Sequence, residues 1–298
     1  MPRSQLVRLP DGTSVWAPSP LEAMVLYHEL ENGVAYTRHG IRVQDGDCVF
    51  DVGANIGLYS LLLLRAYRGL RLFVFEPIPF VYELLQRNLA LYRGDAGVTS
   101  FDCALGREAG TAEGLISGFS FAATLRPADV AGAVRSGTSQ LDWIRAMIAD
   151  FERLQLISPS RARRLDQALE SPLRRPLAVL TVLALATFTR LRAGGGLRKR
   201  RFACHIRSLS EVIREHKVAR IDLLRIDVEG SECDVLSGLE SELWPRVRQA
   251  VVEVHDIAGR VEEVAGLLRE HGFLTAVDQE DWAIHRLLGI YTIYARRD

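Results

Sequence analysis

The 298-residue sequence lacks a surplus of either charge, because 37 Lys and Arg face 37 Asp and Glu. No general attraction to nucleic acid follows from such a balance. Its four cysteines, Cys48, Cys103, Cys204 and Cys233, show neither a CxxC pair nor a Cys/His spacing suited to zinc, so free thiols in a reducing compartment are expected rather than disulfides. The first residues, MPRSQLVRLPDG, hold no apolar signal core, which makes a cytoplasmic location the default. No apolar run reaches the roughly 20 residues that span a bilayer. The longest, LAVLTVLALATF from Leu177 to Phe188, is therefore expected as a buried helix. Internal repeats and low-complexity tracts are absent too. The length suits one large α/β domain with room for a subdomain.

What is present centres on VFDVGANIGLYSLLLLRAY, Val49 to Tyr67. A β-branched and aromatic run enters a glycine turn, and Leu58, Leu61, Leu62 and Arg65 then recur at helical spacing. Gly53 and Gly57 permit unusual backbone angles and a close ligand approach, with Asn55 between them. Downstream, LRLFVFEPIP reads as a second strand ending in Glu76 and Pro77, where a carboxylate can accept hydrogen bonds from both hydroxyls of a ribose. A nucleoside site is implied. The glycine turn alone leaves NAD or a structural turn open, although DVGANIG lacks the third glycine spacing of the NAD fingerprint. A helix start facing a diphosphate favours anions, whereas S-adenosyl-L-methionine carries a sulfonium and an amino acid that Asp51 and the turn carbonyls could hold. The turn resembles the cofactor loop of class I methyltransferases that use this cofactor.

In chain order, residues 1–45 form an N-terminal extension with a hairpin around Pro10-Asp11-Gly12 and a helix from Pro20 to Asn32. Tyr36 and His39, just before the first core strand, are candidates for closing the site over substrate, against ordinary packing. Residues 46–116 alternate strand and helix, which implies a parallel sheet with ligands beyond its carboxyl ends. Asp102, Cys103 and Ala104 end the third strand and are candidates for lining an adenine pocket, against plain core. Residues 117–202 interrupt the alternation. GFSFAATLRPAD is loop-like, helices are expected over Leu141 to Leu156 and Ser160 to Leu169, and the whole insertion reads as a helical lid on the substrate side. Residues 126–201 hold 15 Lys and Arg against 6 Asp and Glu, including the run Arg198-Lys199-Arg200-Arg201, which permits an acidic partner or a membrane surface. Residues 203–298 restore the alternation and finish with two strands, FLTAVDQ and GIYTIYARR.

Methyl transfer to an alcohol needs an acceptor oxygen held in line with the leaving sulfur, and a base adds roughly 10²- to 10⁴-fold. His255 ends the strand AVVEVHD at the ligand edge. Period-two alternation puts Glu253 on its face, and Glu229 ends the neighbouring strand; either carboxylate could orient the imidazole. Asp227 is a candidate for facing the methionine part of the cofactor or the acceptor, and Asp227, Glu229 and Asp256 together could instead take a divalent cation. The remaining histidines, His28, His205, His216, His271 and His285, read as surface or packing residues, and Trp143, Trp244 and Trp282 as core anchors.

With DVGANIG, FEPIP, IRSLSEVI, IDLLRIDVEGSECDVLSGL and AVVEVHDIAGR in this order, the chain resembles the FkbM-type methyltransferases over roughly residues 20 to 277. LPDG, YTRHGI and WPRVRQAVVEVHD are closest to the branch found in polyketide and nonribosomal peptide pathways. That resemblance implies a class I seven-stranded α/β fold with helices on both faces. It further implies an O-methyltransferase for a hydroxyl of a polyketide- or peptide-type intermediate, often carried on an acyl or peptidyl carrier protein, with no resident metal. It favours Glu229 as the partner of a His255 base. A sugar-hydroxyl methyltransferase and a noncatalytic carrier- or membrane-docking protein remain open, as do a free-standing enzyme and one domain of an assembly line.

Overall fold

The structure is a computed structural model that describes residues 4–31, 33–116, 123–124, 139–192, 200–279 and 281–297. The loop expected at GFSFAATLRPAD lies outside these residues save for Ala123 and Thr124, and Arg198 and Lys199 of the basic run lie outside them as well.

The amino-terminal hairpin is β1 (Gln5–Arg8) and β2 (Ser14–Ala17), followed by α1 (Pro20–Glu31) and a 3-10 segment over Gly33–Gly40. The core begins with β3 (Cys48–Val52), α2 (Leu58–Ala66), β4 (Arg71–Phe75), α3 (Pro79–Tyr92) and β5 (Gly97–Phe101). Then come β6 (Cys103–Leu105), β7 (Gly110–Ile116) and β8 (Ala123–Thr124), and the insertion helices α4 (Gln140–Arg153), α5 (Pro159–Glu170) and α6 (Arg175–Arg192). The chain returns through β9 (Arg200–Arg207), α7 (Leu209–Glu215), β10 (Leu223–Ile226), α8 (Glu232–Ser237), β11 (Gln249–His255), α9 (Arg260–Glu270), β12 (Leu274–Asp278), α10 (Ala283–Leu288) and β13 (Ile290–Arg296).

Seven strands form one sheet in the order β12-β13-β11-β10-β3-β4-β5. β11, β10, β3, β4 and β5 pair in parallel, and β13 runs antiparallel between β11 and β12. This is the class I methyltransferase arrangement, as the resemblance implied, including the reversed last strand. Strand order changes direction between β3 and β10, so the loops after them part and open a crevice at their carboxyl ends. Parallel strands covered on both faces need continuous apolar runs, and every residue of β3 and β10 is buried. One face carries α1, α2 and α3, and the other α7, α8 and α9. Ring stacking adds to the second face: Phe75 and Phe101 lie 4.7 Å apart, and Phe50 and Phe73 4.6 Å.

Asn88 of α3 ties the hairpin to the glycine turn, accepting from the Trp16 backbone N–H at 2.6 Å and donating to the carbonyls of Trp16 and Ile56 at 2.9 and 2.8 Å. A buried amide satisfied in this way fixes the turn against the helix.

The insertion is not helical throughout. β9 pairs antiparallel with β7 and in parallel with β6, forming a second sheet in the order β6-β9-β7-β8. Thus 123–124 and 200–202 are strand, because both ends of the insertion satisfy their backbone groups on opposite edges of β7. The helix expected over Leu177 to Phe188 is present as α6. Only one side of it is buried, however, with Ala178 and Val182 packed among Ile144, Ile148 and Leu169, while Leu177 and Leu180 are 70% and 63% exposed. Among the described residues, no helix is long and apolar enough to cross a membrane.

Candidate active site

The turn after β3 is dictated by close backbone approach. A Cβ on Gly53 would lie 1.8 Å from the Asp227 carbonyl oxygen, and one on Gly57 2.5 Å from Leu85 Cδ1. Both glycines have positive φ, and so does Asn55 at 53°, a residue type that tolerates this region better than most. The N–H groups of Gly53 and Ala54 donate to the Phe75 carbonyl at 3.0 and 2.9 Å. Asn55 Oδ1 accepts from the Ile56 N–H. The turn is thereby held rigidly between β4 and β10.

Beneath it lies an ion cluster that the sequence reading missed. Arg225 stands opposite Asp51 in the β10–β3 register. Its Nη1 donates to Asp51 Oδ1 at 2.8 Å, its Nη2 to Asp227 Oδ2, and the Tyr59 ring packs against the guanidinium. Asp51 is fully buried, and its other oxygen accepts from Ser60 Oγ at 2.7 Å. Asp51 thus holds the turn from below through Arg225, and does not itself face the crevice as its sequence position suggests. The available signal was an arginine inside an otherwise apolar strand, LLRI.

Glu76, at the end of β4, is 4% exposed. Its oxygens accept from Asn55 N at 3.0 Å and Ile78 N at 2.8 Å, bracketing the half-buried Pro77. Burial pushes its pKa up to about 7 against those hydrogen bonds, with Asp227 and Asp51 adding repulsion. Asp227 keeps 24% of its side chain open. Its pKa is raised by burial and by Glu229, while Arg225 opposes the shift. The partly open Asp227 carboxylate places a negatively charged oxygen pair at this edge. Together with the Cβ-free cradle at Gly53, that fits a ligand bearing a sulfonium and an ammonium group, as S-adenosylmethionine does. Of the three residues after β5, Asp102 is exposed, whereas Cys103 and Ala104 are drawn into β6 beside β9. Burial pushes the Cys103 thiol up to about 12.

His255 closes β11 at the same edge and is 3% exposed. Its Nε2 lies 3.0 Å from Glu229 Oε2. Glu229 reaches back because it adopts φ 53°, followed by Gly230 at 103°. Burial works against a charge on His255, but Glu229, then Glu232 and Asp227, outweigh it and raise the pKa. Glu232 is itself wholly buried, accepts from the Gly230 N–H at 2.6 Å and lies near Arg260. Both ring nitrogens of His255 are buried without a hydrogen bond to the described residues, so the Nε2 contact with Glu229 is one of distance and charge, and each nitrogen has a hydrogen bond still to make.

The geometry also gathers Glu253 beside this pair: ligand atoms of Glu229, Glu253 and His255 lie within 4.8 Å of one another, a set able to hold a metal ion. Asp256, placed with Asp227 and Glu229 in the sequence reading, instead accepts from the Val261 N–H at the start of α9.

A second group around His255 comes from distant chain. His285 of α10 is 8% exposed, with its pKa lowered to about 4 by burial, then by the charges of His255 and Arg153. Trp282 stacks near it with a buried Nε1 that has no partner among the described residues. The insertion fixes both: Asp150 of α4 accepts from the N–H groups of Ala283 and Ile284 at 3.1 Å each, and Arg153 lies over the Trp282 ring at 4.4 Å. Nothing in the local sequence around these residues announces that contact. His39 is engaged elsewhere, 2.7 Å from Asp278 and tilted against the Tyr294 ring. The side chain of Tyr36 lies outside the described residues.

Comparison with known proteins gives one consistent result. The family model described as the methyltransferase FkbM domain matches residues 193–275. The chain is 31% identical over 283 residues to 31-O-demethyl-FK506 methyltransferase FkbM of Streptomyces tacrolimicus, covering 93% of this chain and 91% of that protein. It is 29% identical to methyltransferase sdnD of Sordaria araneosa, covering 92% and 90%. It is also 30% identical to part of the AMB antimetabolite synthetase AmbE of Pseudomonas aeruginosa, covering 92% of this chain but 12% of that one. A crystal structure of methyltransferase FkbM from Methylobacillus flagellatus superposes with a TM-score of 0.48 at 13% identity, covering 91% of this chain and half of that one.

Proposed function

The chain belongs to the FkbM methyltransferase family, and from that premise we propose that it methylates a hydroxyl of a polyketide- or peptide-type biosynthetic intermediate. S-adenosylmethionine supplies the electrophilic methyl and leaves as S-adenosylhomocysteine. The turn Gly53–Gly57 with Glu76 holds the nucleoside end, and Asp227 faces the positive end. The acceptor oxygen forms the new O–C bond as the C–S bond breaks, and its proton passes to His255 Nδ1. Glu229, at Nε2, orients the ring and stabilises the imidazolium that results.

The observation that carries this reading is the buried His255 at the ligand edge, with its Nε2 3.0 Å from the Glu229 carboxylate and neither ring nitrogen satisfied by a hydrogen bond among the described residues. The test is transfer of labelled methyl from the cofactor to free and carrier-bound hydroxyacyl compounds, with wild type and His255→Ala side by side. Label in the acyl product, reduced roughly 10²- to 10⁴-fold by the substitution while S-adenosylhomocysteine still binds, is the expected result. Undiminished mutant activity removes His255 as base. Cofactor binding with no acyl acceptor labelled removes the acceptor class and directs the assay to sugars.

A further inference from the structure

Strand β13 carries a second polar group near His255 that its neighbours leave unsatisfied. Thr292 is 1% exposed, and its Oγ1 is buried with no hydrogen-bond partner among the described residues. Such a hydroxyl costs free energy that a valine of the same shape would spare, so its presence calls for a partner that arrives with a ligand.

Strand register places the hydroxyl. His255 stands opposite Ile290, and Glu253 opposite Thr292. Opposed residues of an antiparallel pair share a face, and alternation along β13 keeps Ile290, Thr292 and Tyr294 together. Tyr294 packs in the core beneath α1, α2 and α3, whereas Ile293 and Ala295 pack on the other face. Thr292 thus lies on the face of His255 and Glu253, one row along from the proposed base. Glu253, opposite it, is only half-buried, so solvent reaches this row. On the far side, Asp278 of β12 stands opposite Thr292 and is held by His39 at 2.7 Å. A ligand that meets His255 therefore extends over Glu253 to Thr292 and finds the row closed beyond it.

Helix α10 covers this same face. The Asp256 N–H donates to the Gly289 carbonyl at 2.8 Å, which holds the end of α10 over the end of β11, and His285 Nε2 lies 3.9 Å from Glu29 Oε1 of α1. Trp282, just ahead of α10, is 3% exposed, and its Nε1 also has no hydrogen-bond partner among the described residues. Two buried donors on the acceptor side thus lack an oxygen to meet. A carbonyl suits them, since it offers two lone pairs and no proton.

The spacing narrows the ligand further. Diagonal neighbours such as His255 and Thr292 have Cβ atoms about 7–8 Å apart. A hydrogen bond of about 2.8 Å at each end leaves a span that fits two oxygens on carbons separated by a single methylene.

We propose that Thr292 sets the acceptor specificity of this site: its hydroxyl donates to the carbonyl oxygen of a 3-hydroxyacyl compound whose 3-hydroxyl is presented to His255. This assignment rests on the reading of His255 as the base.

The test is transfer of labelled methyl from S-adenosylmethionine to a 3-hydroxyacyl pantetheine thioester and to the matched alcohol in which a methylene replaces the carbonyl. The wild type is expected to prefer the thioester about tenfold in kcat/KM. Thr292→Val should remove that preference, mainly through KM for the thioester, and leave the alcohol unaffected. Its S-adenosylhomocysteine affinity should hold and its urea midpoint should not fall, because no hydrogen bond among the described residues is lost. Thr292→Ser, which keeps the hydroxyl, should retain the preference. The proposal alone is overturned if an active wild type is matched by Thr292→Val on the thioester, or if the valine slows both acceptors equally. Should the valine variant misfold, a wild type that methylates both acceptors equally overturns it without any variant. A wild type that labels neither acceptor refutes the reading of the site as an acyl O-methyltransferase, and this assignment falls with it.

Discussion

Replacing Arg225 with methionine removes the one guanidinium that holds Asp51 and Asp227 together beneath the glycine turn. The two carboxylates do not suffer equally. Asp227 keeps 24% of its side chain in solvent and can regain water, whereas Asp51 is fully buried and, among the described residues, retains the Ser60 hydroxyl alone. Breaking a buried pair from one side costs roughly 3–5 kcal/mol, because the desolvated charge that remains has no compensation. With a urea dependence of about 3 kcal/mol per molar, the unfolding midpoint should fall by about 1 to 1.7 M. Asp51→Asn is milder, since Arg225 keeps Asp227 as partner. The double variant, Arg225→Met with Asp51→Asn, should be at least about 2 kcal/mol more stable than the sum of the single effects predicts, as groups in one ionic network couple at 0.5–3 kcal/mol. The assay is equilibrium urea unfolding of the four proteins at neutral pH. A single-variant loss below about 1 kcal/mol, or additive effects, would refute the account of Asp51 as an anchored charge.

Three other outcomes follow from the site. Activity requires neutral His255, and its pKa is raised, so the acid limb of kcat/KM should lie above the ordinary histidine value of about 6.5; Glu229→Gln should move that limb to lower pH, and an unmoved limb would dissociate Glu229 from the base. Asp150→Ala removes the cap on α10, a loss of about 1 kcal/mol, and should raise the KM for the acceptor while S-adenosylhomocysteine affinity holds; equal losses in both would show that α4 does not act on the acceptor side. Exhaustive chelation should leave methyl transfer intact, because a His255 that accepts a proton cannot also be a ligand; loss of activity restored by a divalent ion would assign Glu229, Glu253 and His255 to metal instead.

The glycine turn, Glu76, and the alignment of His255 with Glu253 were legible in the sequence because each depends on local rules. A turn that excludes Cβ atoms must be written in glycine, and two residues apart on a strand share a face. The reach of Glu229 to His255 was accessible as a pairing of neighbouring strand ends, although the positive φ that achieves it was not. His285 and Trp282 were read as packing residues because single histidines and tryptophans usually are. The placement of the helix that carries His285 depends on Asp150, more than 130 positions away in the chain. Asp51 was read as facing the cofactor from its place in the turn, but its direction was decided by an arginine on another strand.

The sequence by itself determined the alternation of strands and helices, the glycine turn and a histidine at the end of a strand, all consequences of short-range periodicity and backbone sterics, whereas the reversed final strand was implied by the family resemblance. Tertiary structure alone decided which charges neutralise each other, which carboxylate meets His255, and which side of α6 packs against α4 and α5. Those outcomes depend on register between strands and on packing between segments far apart in the chain. No local pattern of residues contains that information.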